Sequence, residues 1–155
     1  MRRGLTAAAC IGAIALPAVA LGGPPDPEYG GKIDGKKSRY IGFDIGGGGN
    51  NRILKNMFIV NVPFSDCDDP ADDGKTGGGY EGKFQIDANG KFEDTKTDDF
   101  TRRHGGATGL KYTLKGKLDG NRAEGTLKTK VLGTNCKSGT VEWVAKKPAP
   151  PIPPS

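Results

Sequence analysis

The sequence predicts an all-β fold, a single antiparallel β-sandwich or small β-barrel of about seven to eight strands with one disulfide and disordered ends. Three observations predict it. Apolar residues recur with a period of two in several short segments, which puts them on one face of a strand. Turn-forming runs, Asn89-Gly90 and Asp119-Gly120-Asn121, stand between those segments. No segment repeats apolar residues at helical spacing, and 26 glycines and 11 prolines punctuate the 155 residues. Short strands separated by glycine-rich turns are the makings of a sandwich or small barrel.

In chain order, an opening strand is expected near Arg39 to Ile45 and a second around Arg52 to Met57. Phe58, Val60, Val62 and Phe64 then alternate with Ile59, Asn61, Pro63 and Ser65, so those four are expected to share the buried face. Pro63 suits the end or edge of a strand, since it has no N–H to give a ladder. "YEGKFQI" places Tyr80, Phe84 and Ile86 on one face, and Asn89-Gly90 turns the chain into a short strand at Lys91 to Glu93. The clearest unit is "LKYTLKGKLDGNRAEGTLKTKV". There Leu110, Tyr112, Leu114, Gly116 and Leu118 alternate with Lys111, Thr113, Lys115 and Lys117. After the turn, Ala123, Gly125, Leu127, Thr129 and Val131 form the matching apolar face. This is a hairpin with one buried and one wet face. "GTVEWVA" closes the domain with Val141, Trp143 and Ala145 together, so Trp143 is expected in the core near the disulfide and not on a carbohydrate platform.

The first 20 residues carry the anatomy of a cleaved export signal: Arg2 and Arg3, an apolar run from Leu5 to Leu16, and "AVA" at Ala18 to Ala20. The whole apolar stretch from Leu5 to Ala20, about 16 residues, is short of the roughly 20 needed to cross hydrocarbon, so no transmembrane anchor is expected after cleavage. The protein is therefore expected to be secreted, extracellular or held in the cell envelope. Residues 21–38 are expected to be a flexible lead-in, 39–146 the all-β domain and 147–155 a dispensable, proline-rich, disordered tail. Losing Arg2 and Arg3 leaves 21 basic against 18 acidic residues, a net charge of +3, too slight to argue for nucleic acid. Two cysteines then remain, Cys67 and Cys136, and an even pair in an exported chain is expected to be one disulfide. Closing a loop of about 70 residues constrains the unfolded chain by roughly 4 kcal/mol in the entropy model.

The order Tyr40-Ile41-Gly42, a midway cysteine, "GKF" before a hairpin, "GNRAEGTL" and a final "CKSGTVEWVA" resembles a secreted all-β domain recurrent in bacteria, often in actinobacteria, and functionally uncharacterised. The resemblance spans most of Arg39 to Ala145. It implies the fold, the export and the cysteine pair, and it brings no catalytic residues.

Four places could carry chemistry. "SDCDDPADDGK" holds clustered carboxylates, and Asp66, Asp68, Asp72 and Asp73 are the candidate ligands of a calcium ion, the one cofactor considered. The helix-loop-helix calcium pattern fails there: with Gly74 at the glycine position, Ala71 stands at ligand position 3 and Tyr80 at position 12, so a solvated loop is the expectation. "GGGGNNR" lacks the Lys-Ser/Thr ending and following helix of a phosphate cradle. His104 is the sole histidine and could act as general acid or base with Asp98 or Asp99, yet no nucleophile or metal-binding partner accompanies it. The wet hairpin face carries Lys111, Lys115, Lys117, Arg122, Lys128 and Lys130, interrupted by Glu124, a candidate anion-binding face. Without aromatics interleaved for base stacking, its partner is expected to be an anionic envelope polymer, or else a protein, and not nucleic acid. The plainer reading is a solvated face whose lysines deter edge pairing. No catalytic residues are assigned. The chain is expected to be a non-enzymatic binding or interaction module, with a small hydrolase or a purely structural envelope module as alternatives.

Overall fold

The computed structural model describes residues 26–68, 74–101 and 107–154. The expected signal segment, Asp72, Asp73 and His104 lie outside them. Nine strands follow one another: β1 (Tyr29–Ile33), β2 (Lys36–Gly46), β3 (Ile53–Phe64), β4 (Gly74–Tyr80), β5 (Phe84–Gln85), β6 (Lys91–Thr101), β7 (Ala107–Asp119), β8 (Arg122–Val131) and β9 (Lys137–Lys146). They form one sheet in the order β4-β3-β2-β1-β9-β8-β7-β6, with β5 also on β3. Every paired neighbour is antiparallel. The pairing of β1 with β9 joins the two ends of the domain, so the meander curls into a nearly closed barrel.

β4 and β5 together make the last stave. β4 runs along Met57 to Phe64 and β5 along Ile53 and Leu54 of the same strand. Their free side meets β6 through side chains. The Glu81 N–H donates to the Asp98 carboxylate at 3.2 Å, and Tyr80 and Phe84 pack on Tyr112 with ring centroids 4.5 and 6.0 Å apart. Between them, Gly82 has no room for a side chain, because a β-carbon would fall 2.4 Å from the Tyr112 hydroxyl.

The interior is filled by aromatic and aliphatic side chains. Trp143 meets Phe43 edge-to-face at 5.8 Å and stacks on Phe92 at 6.1 Å, while Tyr29 stacks on Phe43 at 5.5 Å. Burying each large apolar side chain contributes about 1.5–3 kcal/mol, so this cluster dominates the favourable side of folding. Leu110 to Leu118 and Ala123 to Val131 pair as the expected hairpin, in a register that sets Leu114 opposite Leu127 and Asp119 opposite Arg122 across the turn. Val141, Trp143 and Ala145 face the core as expected, and Cys67 is bonded to Cys136.

Three expectations are corrected. First, the buried face of β3 is Leu54, Met57, Ile59, Val62 and Phe64, and Phe58 and Val60 belong to the opposite face. Asn56 and Asn61 take positive φ, 50° and 58°, where the register slips against β2 and β4. Each bulge adds a residue and flips the alternation, so a strict period of two cannot run through them. Second, the lead-in expected to be flexible through Ser38 is ordered strand from Tyr29. β1 slides between β2 and β9 so closely that a β-carbon at Gly31 would lie 1.9 Å from the Val144 carbonyl oxygen. Third, the tail expected to be disordered from 147 lies against the barrel. The Lys147 N–H donates to the Asn121 carbonyl at 2.9 Å, its ammonium pairs with Glu28, and the Tyr40 hydroxyl donates to the Pro150 carbonyl at 3.0 Å.

Candidate anion-binding face

The hairpin lysines point outward because their neighbours point in: Leu110, Tyr112 and Leu114 alternate with them on β7, and Leu127, Thr129 and Val131 on β8. Lys111, Lys115, Lys117, Arg122, Lys128 and Lys130 are all exposed. Strand register divides this set in two. Lys111 stands opposite Lys130, and Lys130 stands opposite Lys137 on β9, a row of three cations across three adjacent strands. Residues so opposed have β-carbons about 4.5–5.5 Å apart. Lys128 lies two residues along β8, roughly 7 Å away. At the other end of the sheet acids stand among the cations, although Lys117 also faces Lys91 and Arg122 faces Lys146 across the strands. Lys115 pairs with Glu93 at 2.9 Å, and Arg122 donates two hydrogen bonds to Glu124, at 2.8 and 3.1 Å. Lys117 stands opposite that same Glu124.

The structure thus sets Lys111 and Lys130 in one row with Lys128 beside it, a cluster that Lys115 borders diagonally from Lys128, and leaves Lys117 and Arg122 away from it. Lys137 completes the row, and reading the hairpin by itself misses it. It comes opposite Lys130 only because the register slips between Thr129 and Lys130, beside Gly139 at φ 67°. The Ser138-Gly139 pair was the available signal of that bulge.

The disulfide fastens the start of the acidic stretch beside this row. Ser65 exchanges backbone hydrogen bonds with Lys137, at 3.0 and 3.1 Å. Asp66 approaches the Lys137 ammonium at 3.4 Å, both side chains more than half exposed, so water screens the pair. Asp68 accepts from the Asn135 backbone N–H at 3.2 Å and from its side-chain amide at 2.7 Å. The two described carboxylates of the candidate calcium set therefore turn to different partners, Asp66 to Lys137 at the start of β9 and Asp68 to Asn135 in the turn before it. Among the described residues no three His, Cys, Asp or Glu side chains gather as a metal-binding group.

The β5–β6 seam holds the other titratable cluster. Tyr112 donates to the Asp98 carboxylate at 2.8 Å. Burial first, and then that carboxylate, hold the Tyr112 phenol well above its ordinary value, and burial does the same for Tyr80. Phenols so held stay protonated at neutral pH and cannot serve as bases. Asp94, paired with Lys96, shares a face of β6 with Asp98. Four residues of extended chain separate the two by about 13 Å, beyond the roughly 5–9.5 Å at which two carboxyl groups cooperate on a glycosidic bond. What this cluster does in the fold is close the barrel where the ladder stops.

Comparison with known protein families, with curated proteins and with solved structures found no match to this chain. Fold and face define a class by themselves: an all-β barrel with a packed interior and its concentrated charge on the outside of β7–β9.

Proposed function

We propose that this protein is an exported, non-enzymatic binding module that holds an anionic polymer at the cell envelope or outside the cell. The observation that carries the reading is the in-register row Lys111–Lys130–Lys137. Like charges set directly opposite each other on neighbouring strands cost stability, and a bound polyanion relieves that cost. Protection of a sheet edge does not account for these lysines, because β7, β8 and β9 each have strand neighbours on both sides. The cross-strand neighbours of the cluster are threonines, Thr97 beside Lys111, Thr113 and Thr140 beside Lys128, so the row offers charge and hydroxyls and no stacking platform. The disulfide suits an oxidising compartment, and the signal-like start and the resemblance to a secreted bacterial domain support export.

The test is binding of long-chain polyphosphate, used as a structurally simple polyanion, across a salt series. Binding at low ionic strength is expected to weaken by more than about tenfold between 50 and 500 mM salt, as counterions compete for the row. No binding at 50 mM salt, or binding indifferent to salt, overturns the reading.

A further inference from the structure

Outside the barrel, the face shared by β1, β2 and β3 carries an aromatic pair that the core does not use. Tyr40 and Phe58 stack with centroids 5.7 Å apart, and both lie outside the interior cluster. They are nevertheless only 2% and 8% exposed. The proline-rich tail and Pro27 cover them. The Tyr40 hydroxyl donates to the Pro150 carbonyl at 3.0 Å. Two glycines make the approach possible: a β-carbon at Gly30 would fall 1.9 Å from that hydroxyl and 2.9 Å from the Ala149 β-carbon, and one at Gly42 would fall 2.5 Å from the Phe58 ring. The cover is incomplete. A groove of about 600 Å³ continues beside it along β1 and β9, with Gly30, Gly31 and Val144 among its lining and Pro148 and Pro150 beside them.

Stacked aromatic rings, a hydroxyl aimed at a proline carbonyl and a groove running onward are the chemistry by which proteins hold stiff, proline-rich segments, which lose little entropy on binding. We propose that this face is a proline-peptide-binding surface, held in the free protein by its own tail and open to a proline-rich segment of a partner protein that displaces the tail. The tail is the argument for the occupant, since it already shows which chemistry the face accepts. Tethered directly after β9, it competes at an effective concentration in the millimolar range. A partner therefore gains access by outcompeting the tail, with the groove as its first foothold. This inference does not rest on the lysine row, which lies on other strands.

The test uses the full chain in two forms, one native and one carrying Pro150→Ser, Pro151→Ser and Ile152→Ser to release the tail. The probe is a labelled synthetic peptide, Pro-Ala-Pro-Pro-Ile-Pro-Pro, with an all-serine control replacing its prolines. The released form is expected to bind the peptide at least about tenfold more tightly than the native chain. Adding Tyr40→Phe, which keeps the ring and removes the hydroxyl, is expected to weaken that binding about two- to tenfold. The inference is overturned if the released form binds no better than the native chain, if it binds the serine control equally well, or if Tyr40→Phe leaves the affinity unchanged.

Discussion

At Gly116 a missing side chain decides how the largest one packs. A β-carbon there would lie 2.8 Å from Cζ2 of Trp143 and 2.7 Å from Cζ of Phe92, so the indole and the phenyl ring occupy space that any other residue would claim. Gly116→Ala is expected to cost about 1–3 kcal/mol through overpacking, seen as a lower denaturation midpoint with a changed Trp143 fluorescence maximum. An unchanged midpoint and spectrum would mean that the indole does not rest there. The tyrosines make a second argument at this scale. Tyr29, Tyr40, Tyr80 and Tyr112 are all held above the ordinary phenol value, in each case chiefly by burial. The folded chain keeps phenolic protons that the unfolded chain has already released. Stability is therefore intact below about pH 10 and falls as pH rises through the folded-state values. Phenolate absorbance is expected to appear together with loss of the far-ultraviolet circular dichroism signal, and Tyr112→Phe is expected to make the alkaline decline shallower. Phenolate forming well before unfolding would contradict the burial described here.

Among the elements, the β7–β8 hairpin was legible as two strands with one buried and one wet face, because ten residues on each side keep an unbroken alternation about a recognisable turn. β3 was legible as a strand and misread as a face. Asn56 and Asn61 each insert a residue, and nothing in a local alternation announces an asparagine in left-handed conformation. β1 was hidden for another reason. Of its five residues, YGGKI, only Tyr29 and Ile33 are apolar, and its place depends on β2 and β9 arriving on either side. Lys137 was hidden likewise, since a row across strands exists only once the pairing does. The acidic stretch illustrates how an element narrows a chemical option. Asp66 and Asp68 are engaged by Lys137 and Asn135, so recruiting them to calcium means breaking contacts already made. A site with a dissociation constant of 10 µM would add roughly 2.7 kcal/mol at 1 mM calcium. We expect the melting temperature to differ by less than about 2 °C between excess chelator and 1 mM calcium. A larger shift that magnesium does not reproduce, and that Asp66→Asn with Asp68→Asn abolishes, would restore the calcium reading.

In the whole molecule, the packed interior and the joined ends of the sheet direct attention outward. Trp143, Phe43, Phe84 and Tyr112 occupy the space that a ligand-carrying barrel would leave open. The tail lies on one outer face and the lysine row on another, so a single small domain can present two separate surfaces. If the row is a site and not a diffuse excess of charge, its three lysines must matter more than three cations elsewhere on the same sheet. The decisive measurement compares polyphosphate affinity, at one fixed low salt concentration, for two triple variants with identical net charge. One carries Lys111→Gln, Lys130→Gln and Lys137→Gln, and the other carries Lys115→Gln, Lys117→Gln and Arg122→Gln. The first is expected to bind at least about tenfold more weakly than the second, because its cations stand in one row with only the screened Lys137–Asp66 contact among them, while in the second Lys115 and Arg122 are already paired with Glu93 and Glu124. Equal losses in the two variants would contradict the account.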